Sequence, residues 1–204
     1  MQLKRVLTTL AISLLAHHAS VLAQAADPAA ALSGGWKLNM DESINPNGPA
    51  GAGARGSRGG GRGDNFAAPG RGPAPGGDLG PEELQRFNAH LKMFRTAPSL
   101  LGIQATAKDV VLAYDPDPAR GLMYKYTTDS KKSVMTTPAG PVDIKVKWNG
   151  KVLRREMETK ESLKVVEDYT VSADGKQLVV TVETSNIMVR MPKVEIKRVY
   201  DRTQ

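Results

Sequence analysis

Two charged residues interrupt the apolar alternation of adjacent predicted strands, and they are the residues best placed to do chemistry. Arg155 and Glu167 occupy positions whose neighbours two residues away are mostly apolar. A lone buried charge is costly, so inward-facing side chains must pair with each other or meet a ligand or water. The loop at 159–161 predicts that the two are diagonal neighbours. The alternative is a one-residue bulge that turns Arg155 to solvent.

If both side chains point inwards, they help to form a candidate ligand-binding pocket with aliphatic walls. The six candidate ligand-binding residues are Tyr124, Tyr126, Arg155, Glu167, Tyr169 and Arg198. A pocket of this composition suits a small amphipathic ligand with an anionic head.

The sequence offers few groups for catalysis or for binding a metal. It contains no cysteine and three histidines, of which His17 and His18 lie near the N-terminus. His90 alone would remain after N-terminal processing, so the usual zinc ligand sets and Cys-His pairs are missing. We expect His90 to be a partly exposed histidine on a helix instead of a member of a Ser-His-acid triad. We predict no catalytic residue, no metal site and no cofactor, and leave open only a carboxylate pair assembled by folding.

The N-terminus has the pattern of a secretory signal peptide. Lys4 and Arg5 precede an apolar run at 6–15, and small residues follow it. Cleavage fits after Ala23 or after Ala25, and the run is shorter than the about 20 residues that span a bilayer. Removal of two basic and no acidic residues lowers the formal net charge from +7 to +5. We expect a soluble periplasmic or secreted protein.

Residues 46–80 are rich in Gly, Pro, Ala and Arg, and Phe66 is their only aromatic residue. Ordering them would cost about 1–2 kcal/mol per residue, and they have almost no apolar surface to offset that cost. The stretch "GARGSRGGGRGDNF" has the composition of an RNA-binding arginine-glycine box and contains the adhesion tripeptide at 62–64. Residues 46–80 contain only four arginines, and Asp64 and Asp78 offset part of their positive charge. We therefore predict a disordered spacer or weak interaction tether without nucleic-acid binding.

A helix is predicted at 81–95. Pro81 suits its first turn, Glu82 and Glu83 favour its positive N-terminal end, and Pro98 follows its end. The apolar stripe of this helix consists of Leu84, Phe87, Leu91 and Phe94. The stripe packs onto the domain or forms part of a movable lid.

The chain from residue 100 onwards has a period of two, which is typical of strands with one buried face. Turns at 107–108, 149–150 and 174–175 predict three hairpins, and the second would place Ile144 opposite Arg155. Ten strands are predicted, at 35–38, 100–106, 109–114, 121–127, 132–137, 142–148, 151–158, 162–172, 176–185 and 192–201. The charged residues on their other face are Lys145, Lys147, Arg154, Glu156, Lys164, Asp168, Glu183, Glu195 and Lys197. That face must be exposed to water, so we expect no membrane insertion.

A meander of short strands closes into a barrel because closure removes exposed edges. We therefore predict an all-β, antiparallel up-and-down barrel of about ten strands, with one amphipathic helix and a disordered Gly/Arg-rich insertion. Its parts would be a signal peptide at 1–23, an N-terminal barrel strand at 24–45, the spacer at 46–80, and the helix and barrel at 81–204.

The spacing Gly34-x-Trp36 in "SGGWKLN", at the start of the first predicted strand, resembles the opening motif of lipocalins. The resemblance implies a lipocalin-like barrel whose base holds a tryptophan covered by an arginine from a late strand. Arg198 in "KVEIKRVYDR" is the matching candidate. Asp168 and Tyr169 echo the second lipocalin motif but fall within a strand instead of a loop.

More of the chain resembles uncharacterised secreted bacterial lipocalin-like β-barrel proteins, through 34–39, "SADGKQLVVT" and "KRVYDR". This resemblance supports the fold and implies no particular activity. Three classes of function follow. They are an exported protein that binds a small amphipathic or hydrophobic ligand in the barrel, a non-catalytic structural or interaction module with a packed barrel, and, least favoured, an enzyme. A cavity above about 300 Å³ would favour the binder. The identity of any protein partner stays open.

Overall fold

The computed structural model describes residues 27–47, 79–115, 122–186 and 191–203. The predicted signal peptide and nearly all of the predicted spacer lie outside these residues. The described residues form the elements α1 (Pro28–Leu32), β1 (Gly34–Ile44), α2 (Pro81–Arg95), β2 (Leu100–Ala105), β3 (Asp109–Tyr114), β4 (Leu122–Thr127), β5 (Ser133–Thr137), β6 (Gly140–Asn149), β7 (Val152–Thr159), β8 (Leu163–Val171), β9 (Gln177–Asn186) and β10 (Met191–Arg202).

All ten strands belong to one antiparallel sheet in the order β4-β3-β2-β1-β10-β9-β8-β7-β6-β5. The first and last strands pair with each other, so the meander curls into a nearly closed barrel. The two edge strands of the sheet are β4 and β5. Asp129, in the segment that connects them, forms an isolated antiparallel β-bridge with Lys147 of β6. The predicted all-β antiparallel barrel of about ten strands is confirmed, and the first strand is longer than predicted.

Side chains along the strands alternate between a mostly apolar barrel interior and a charged exterior. The side chains of β9, for example, alternate between intermediate and buried along the whole strand. None of the nine outward-facing charged residues predicted from the sequence is buried. Several form ion pairs across strands, such as Lys147 with Glu156 at 2.9 Å and Lys193 with Glu183 at 2.6 Å. The interior face therefore supplies the core, as the period of two predicts.

One end of the barrel is closed around Trp36, which is fully buried. Its indole nitrogen donates to the Leu32 carbonyl of α1 at 3.0 Å. The guanidinium of Arg202 lies 4.1 Å from the ring centre and donates to the carbonyls of Ala31 and Ser33. The prediction that Arg198 covers this tryptophan is therefore wrong. The β1–β10 register pairs Trp36 with Arg202, and Arg198 lies four residues further along the strand, about 13 Å away.

The other end of the barrel is covered by α2, which has the predicted bounds. Phe87 and Phe94 are buried, while Leu84 and Leu91 are partly buried against the same core, so the apolar stripe packs onto the barrel. The prediction of a partly exposed His90 is wrong, because this side chain is only 1% exposed. His90 follows Phe87 by three residues and precedes Phe94 by four, which places all three on one helical face.

The hairpin predictions hold except for one turn. The hairpins at 107–108 and 174–175 have the predicted register. In the second hairpin Asn149 pairs with Val152, so the turn is at Gly150 and Lys151, and Ile144 faces Met157 instead of Arg155. Gly150 takes the left-handed conformation that this turn requires, with φ of 60°. Each residue of β6 pairs with a β7 residue two positions later than predicted. A shift by two residues leaves every side chain on its predicted face.

Candidate functional site

Arg155 and Glu167 form a salt bridge inside the barrel. They lie directly opposite each other on β7 and β8, and their exposed fractions are 4% and 3%. The Nη2 and Nε atoms of Arg155 donate to Oε2 of Glu167 at 2.6 and 3.1 Å. The predicted diagonal arrangement is wrong because the turn lies one residue further along the chain, at 160–162 between β7 and β8, with Ser162 in the left-handed region at φ of 58°. The bulge that would turn Arg155 to solvent does not occur.

Tyrosine side chains surround this salt bridge. The Tyr169 hydroxyl donates to Oε2 of Glu167 at 2.5 Å, and Nη1 of Arg155 donates to the Tyr126 hydroxyl at 3.4 Å. The guanidinium also lies 5.6 Å from the ring centre of Tyr114 and 5.8 Å from that of Tyr126. Both distances allow cation–π attraction. The aromatic rings therefore hold Arg155 in place while it neutralises Glu167.

The protonation states within this cluster follow from its burial and charges. Burial alone would raise the pKa of Glu167, but the charges of Arg155 and Arg198 and the hydrogen bond from Tyr169 bring that pKa below its usual range. Burial raises the pKa of Tyr169 and of Tyr114, with Arg155 partly opposing the effect. Glu167 is therefore an anion, both tyrosines are neutral, and Tyr169 donates a hydrogen bond to Glu167.

Arg198 is a second buried cation beside this cluster, and it is 4% exposed. Its Nε atom donates to the Pro46 carbonyl at 2.9 Å, and its Nη2 atom donates to the Phe94 carbonyl at 2.8 Å. Within the part of the chain that the structure describes, Arg198 forms no ion pair with a carboxylate. Arg198 thus ties the end of α2 and the residues after β1 to β10, and no carboxylate among the described residues pairs with its charge.

These residues border a cavity of about 480 Å³ between α2 and the barrel. Four of the six predicted ligand-binding residues line it, namely Tyr124, Arg155, Glu167 and Arg198. Tyr126 and Tyr169 do not line the cavity, and their hydroxyl groups form hydrogen bonds with the buried salt bridge. The sequence predictions missed the lining residues Ala89, Lys92, Met93, Phe94, Tyr114 and Met135.

Tyr114 is the missed residue that the sequence could have revealed. It shares the inward register of the first predicted hairpin, opposite Leu101. Its hydroxyl is buried and forms no well-aligned hydrogen bond within the described residues, although Tyr169 lies beside it. The α2 residues had no such signal, because a helical stripe does not show which flank of the helix faces a cavity.

A second polar cluster lies on an adjacent flank of α2. His90 Nε2 is 3.2 Å from the Thr137 hydroxyl, and His90 Nδ1 is 3.7 Å from Oε2 of Glu161, an order that resembles a catalytic triad. The Thr137 hydroxyl, however, donates to the Gly140 carbonyl at 2.7 Å, so its oxygen accepts from His90 and Nε2 carries a proton. His90 is thus unable to take the Thr137 proton, and this cluster is not arranged for nucleophilic catalysis.

Among the residues that the structure describes, no three His, Cys, Asp or Glu side chains are grouped so that they could hold a metal ion. In the same part of the chain, neither helix combines the length and apolar character needed to cross a membrane.

Comparison with known proteins shows the fold. No protein-family model matches the sequence, and no curated protein matches it either. The fatty acid binding protein of Schistosoma mansoni in complex with arachidonic acid has a TM-score of 0.51 at 14% identity, with 87% of this chain and 99% of that chain covered. Lipid binding protein 8 of Caenorhabditis elegans, in its apo form, has a TM-score of 0.51 at 12% identity, with 88% and 100% covered.

A secretory abundant heat soluble protein of Ramazzottius varieornatus has a TM-score of 0.50 at 11% identity, with 85% of this chain and 96% of that chain covered. These similarities show that the chain has the ten-stranded barrel of the fatty-acid-binding-protein and lipocalin-like folds. The expected lipocalin-like architecture is confirmed at that level.

Proposed function

We propose that this protein binds a small amphipathic molecule in its barrel, with an anionic head at Arg198 and an apolar tail in the cavity. Charge balance carries the proposal. Three buried charges border the cavity, and Arg155 and Glu167 neutralise each other while Arg198 has no carboxylate partner among the described residues. An uncompensated buried charge is costly, so a ligand carboxylate that meets Arg198 would be strongly favoured.

The size and lining of the cavity support the same function. Its volume of about 480 Å³ lies within the usual range for small-molecule sites. Apolar groups such as Met93, Phe94, Leu122 and Met135 lie around the few charged ones. Two of the similar structures are of proteins named for binding fatty acid or lipid. A packed structural module is the less favoured function, because a packed barrel would leave no such cavity.

The setting in which the protein acts is also part of the proposal. The N-terminal pattern of Lys4 and Arg5 followed by an apolar run supports export to the periplasm or the exterior. A binder without catalytic activity fits the hydrogen-bond directions around His90. The charged outer face supports a barrel that stays in water and out of the membrane interior. The few arginines at 46–80, opposed by two aspartates, support a function without nucleic-acid binding.

Calorimetric titration with dodecanoate and with 1-dodecanol tests this function. The native protein should bind dodecanoate more tightly than the uncharged alcohol. Arg198→Met should weaken dodecanoate binding by about 10- to 100-fold, the range for hydrogen bonds to a charged group, and should leave dodecanol binding nearly unchanged. Arg198→Lys should retain part of the preference. Arg154→Met, which removes an outward-facing arginine from β7, is the matched control and should have no effect.

Because Arg198 also holds the Phe94 and Pro46 carbonyls, the folding of each variant is checked by urea unfolding. Absence of saturable binding to either compound would overturn the proposal, as would equal dodecanoate affinity in native protein and folded Arg198→Met.

A further inference from the structure

The helix α2 forms one wall of the ligand cavity and is held to the barrel by the second polar cluster. Ala89, Met93 and Phe94 contribute to the wall. His90 lies on an adjacent flank of the same helix, between β5 and the turn from β7 to β8. Since an α-helix moves as one body, a change in how His90 is held changes the position of the cavity wall.

The one hydrogen bond of the His90 ring and its contact with Glu161 both favour a proton on the ring nitrogen concerned. Thr137 can only accept from Nε2, because its own proton goes to the Gly140 carbonyl. On the other side of the ring, Nδ1 faces Oε2 of Glu161 across 3.7 Å, and both atoms are buried without a hydrogen-bond partner in the described part of the chain. A neutral ring in either tautomer satisfies one of these contacts and leaves the other as two acceptors facing each other. An imidazolium satisfies both.

We infer that His90 is a buried imidazolium that latches α2 to the barrel, and that loss of its proton loosens α2 and opens the ligand cavity. The effect on the ligand rests on the proposed function, whereas the latch itself does not. Below, the latch means the contacts of His90 with Thr137 and Glu161.

The charged groups around His90 limit the conditions under which the latch holds. Glu161, in the turn after β7, is the anion that favours the imidazolium. Arg86, one turn earlier on α2, donates to Oε1 of Glu161 at 2.8 Å. Lys160 lines a small cavity of about 280 Å³ together with Arg86, His90 and Glu161. The charges of Arg86 and Lys160 oppose the charge of a protonated His90. Among the described residues of β5 and β6, those beside the ring are the neutral Thr137, Gly140 and Pro141.

Glu161 sets the acid limit of the latch. Burial would raise its pKa, but the hydrogen bond from Arg86 and the nearby His90 bring that pKa below its usual range. Glu161 therefore stays ionised as the pH falls below the ordinary value for a glutamate. The latch is complete where Glu161 is ionised and His90 is protonated, and it is lost at higher pH when His90 becomes neutral.

Nitrogen NMR of the full-length protein with ¹⁵N-labelled histidine tests the latch without any ligand. The His90 signals, assigned by their loss in His90→Gln, should show the two protonated nitrogens of an imidazolium in mild acid and a neutral ring at higher pH. Over the range of about pH 5 to 9, corrected amide hydrogen exchange of α2 should rise by about tenfold as His90 loses its proton, the factor for one charge-assisted hydrogen bond.

Two glutamate variants separate the latch from general effects of pH. Glu161→Gln should give fast α2 exchange at every pH and abolish its pH dependence. Glu158→Gln removes an exposed glutamate of β7, three residues before Glu161, and should behave like the native protein. A neutral His90 throughout this range, or unchanged α2 exchange when it loses its proton, would overturn the latch.

Stopped-flow release of dodecanoate then tests the coupling. Release should accelerate with pH in step with α2 exchange, and Glu161→Gln should release quickly throughout. If dodecanoate binds but its release rate does not depend on the protonation state of His90, the coupling is overturned. If it binds at no pH while the NMR and exchange results hold, the proposed function fails and the latch stands.

Discussion

Arg154 and Arg155 are adjacent on one strand and form two salt bridges on opposite faces of the barrel wall. Arg155 reaches Glu167 inside at 2.6 Å, and Arg154 reaches Asp168 outside at 2.6 Å. The partners are also adjacent on the next strand. The period of two in a strand produces this arrangement, so the molecule contains a buried ion pair and a matched, partly exposed one.

The inner pair should depend on both partners far more than the outer pair does. Arg155→Met leaves Glu167 as an uncompensated buried anion and should lower the free energy of unfolding by about 3–5 kcal/mol. Arg155→Met with Glu167→Leu should recover most of that loss, because no buried charge remains. Arg154→Met should cost about 1 kcal/mol or less. Urea unfolding measures all three values, and an equal cost for the two single arginine variants would contradict the buried pair.

Glu167 should make a defined contribution to acid stability. Because its pKa is lowered in the folded protein, its ionised form stabilises the fold above its unfolded pKa, which is about 4.3. That stability is lost as the pH falls through the lower folded pKa. The difference in unfolding free energy between native protein and Glu167→Gln should therefore shrink as the pH decreases below about 4. A difference that stays constant or grows in acid would show that the folded pKa is not lowered.

Arg202, and not Arg198, should control the environment of Trp36. In a Trp148→Phe background, Trp36 is the only tryptophan, and its buried indole should emit at short wavelength. Arg202→Ala removes the cation above the ring and hydrogen bonds to the carbonyls of Ala31 and Ser33. In this variant the emission of Trp36 should shift to longer wavelength, and the free energy of unfolding should fall by about 1–3 kcal/mol. Arg198→Ala should leave the emission unchanged, and a shift in that variant alone would contradict the assignment.

A bulky side chain on the cavity flank of α2 should block ligand binding. Ala89 is exposed and lines the mouth of the cavity, whereas its neighbour Asn88 is exposed and lies outside the lining. Ala89→Trp should fill the mouth and remove saturable dodecanoate binding, and Asn88→Trp should bind like the native protein. Both variants should unfold at similar urea concentrations. Retained affinity in Ala89→Trp would place the ligand elsewhere.

The periodic parts of the fold could be predicted from the sequence because they depend on local pattern. The strand alternation and the turn at Asp174-Gly175 determine which faces are buried, and they place Arg155 and Glu167 inside. Their direct pairing was missed because Ser162, a residue without an obvious turn signal, takes the left-handed conformation. The turn at Gly150-Lys151 was misplaced for a different reason, because the Asn149-Gly150 pair predicts a turn one residue earlier, and the error has no consequence for the faces.

The ends of the barrel could not be predicted from local pattern because they depend on distant contacts. Trp36 meets Arg202 only through the pairing of the first strand with the last. His90 is buried because α2 crosses the barrel end where Thr137 and Glu161 lie, 47 and 71 residues further along the chain. The short helix that accepts the Trp36 hydrogen bond, Pro28–Leu32, was not predicted.

A crystal structure of the protein grown with dodecanoate tests the central claim most directly. The account predicts electron density for the carboxylate within about 3 Å of the Arg198 guanidinium, a charge-assisted hydrogen-bond distance, with the alkyl chain in the cavity beneath α2. The Arg155–Glu167 salt bridge should stay intact. Dodecanoate bound only on the outer face, or a carboxylate that displaces Glu167 from Arg155 and leaves Arg198 without a partner, would contradict it.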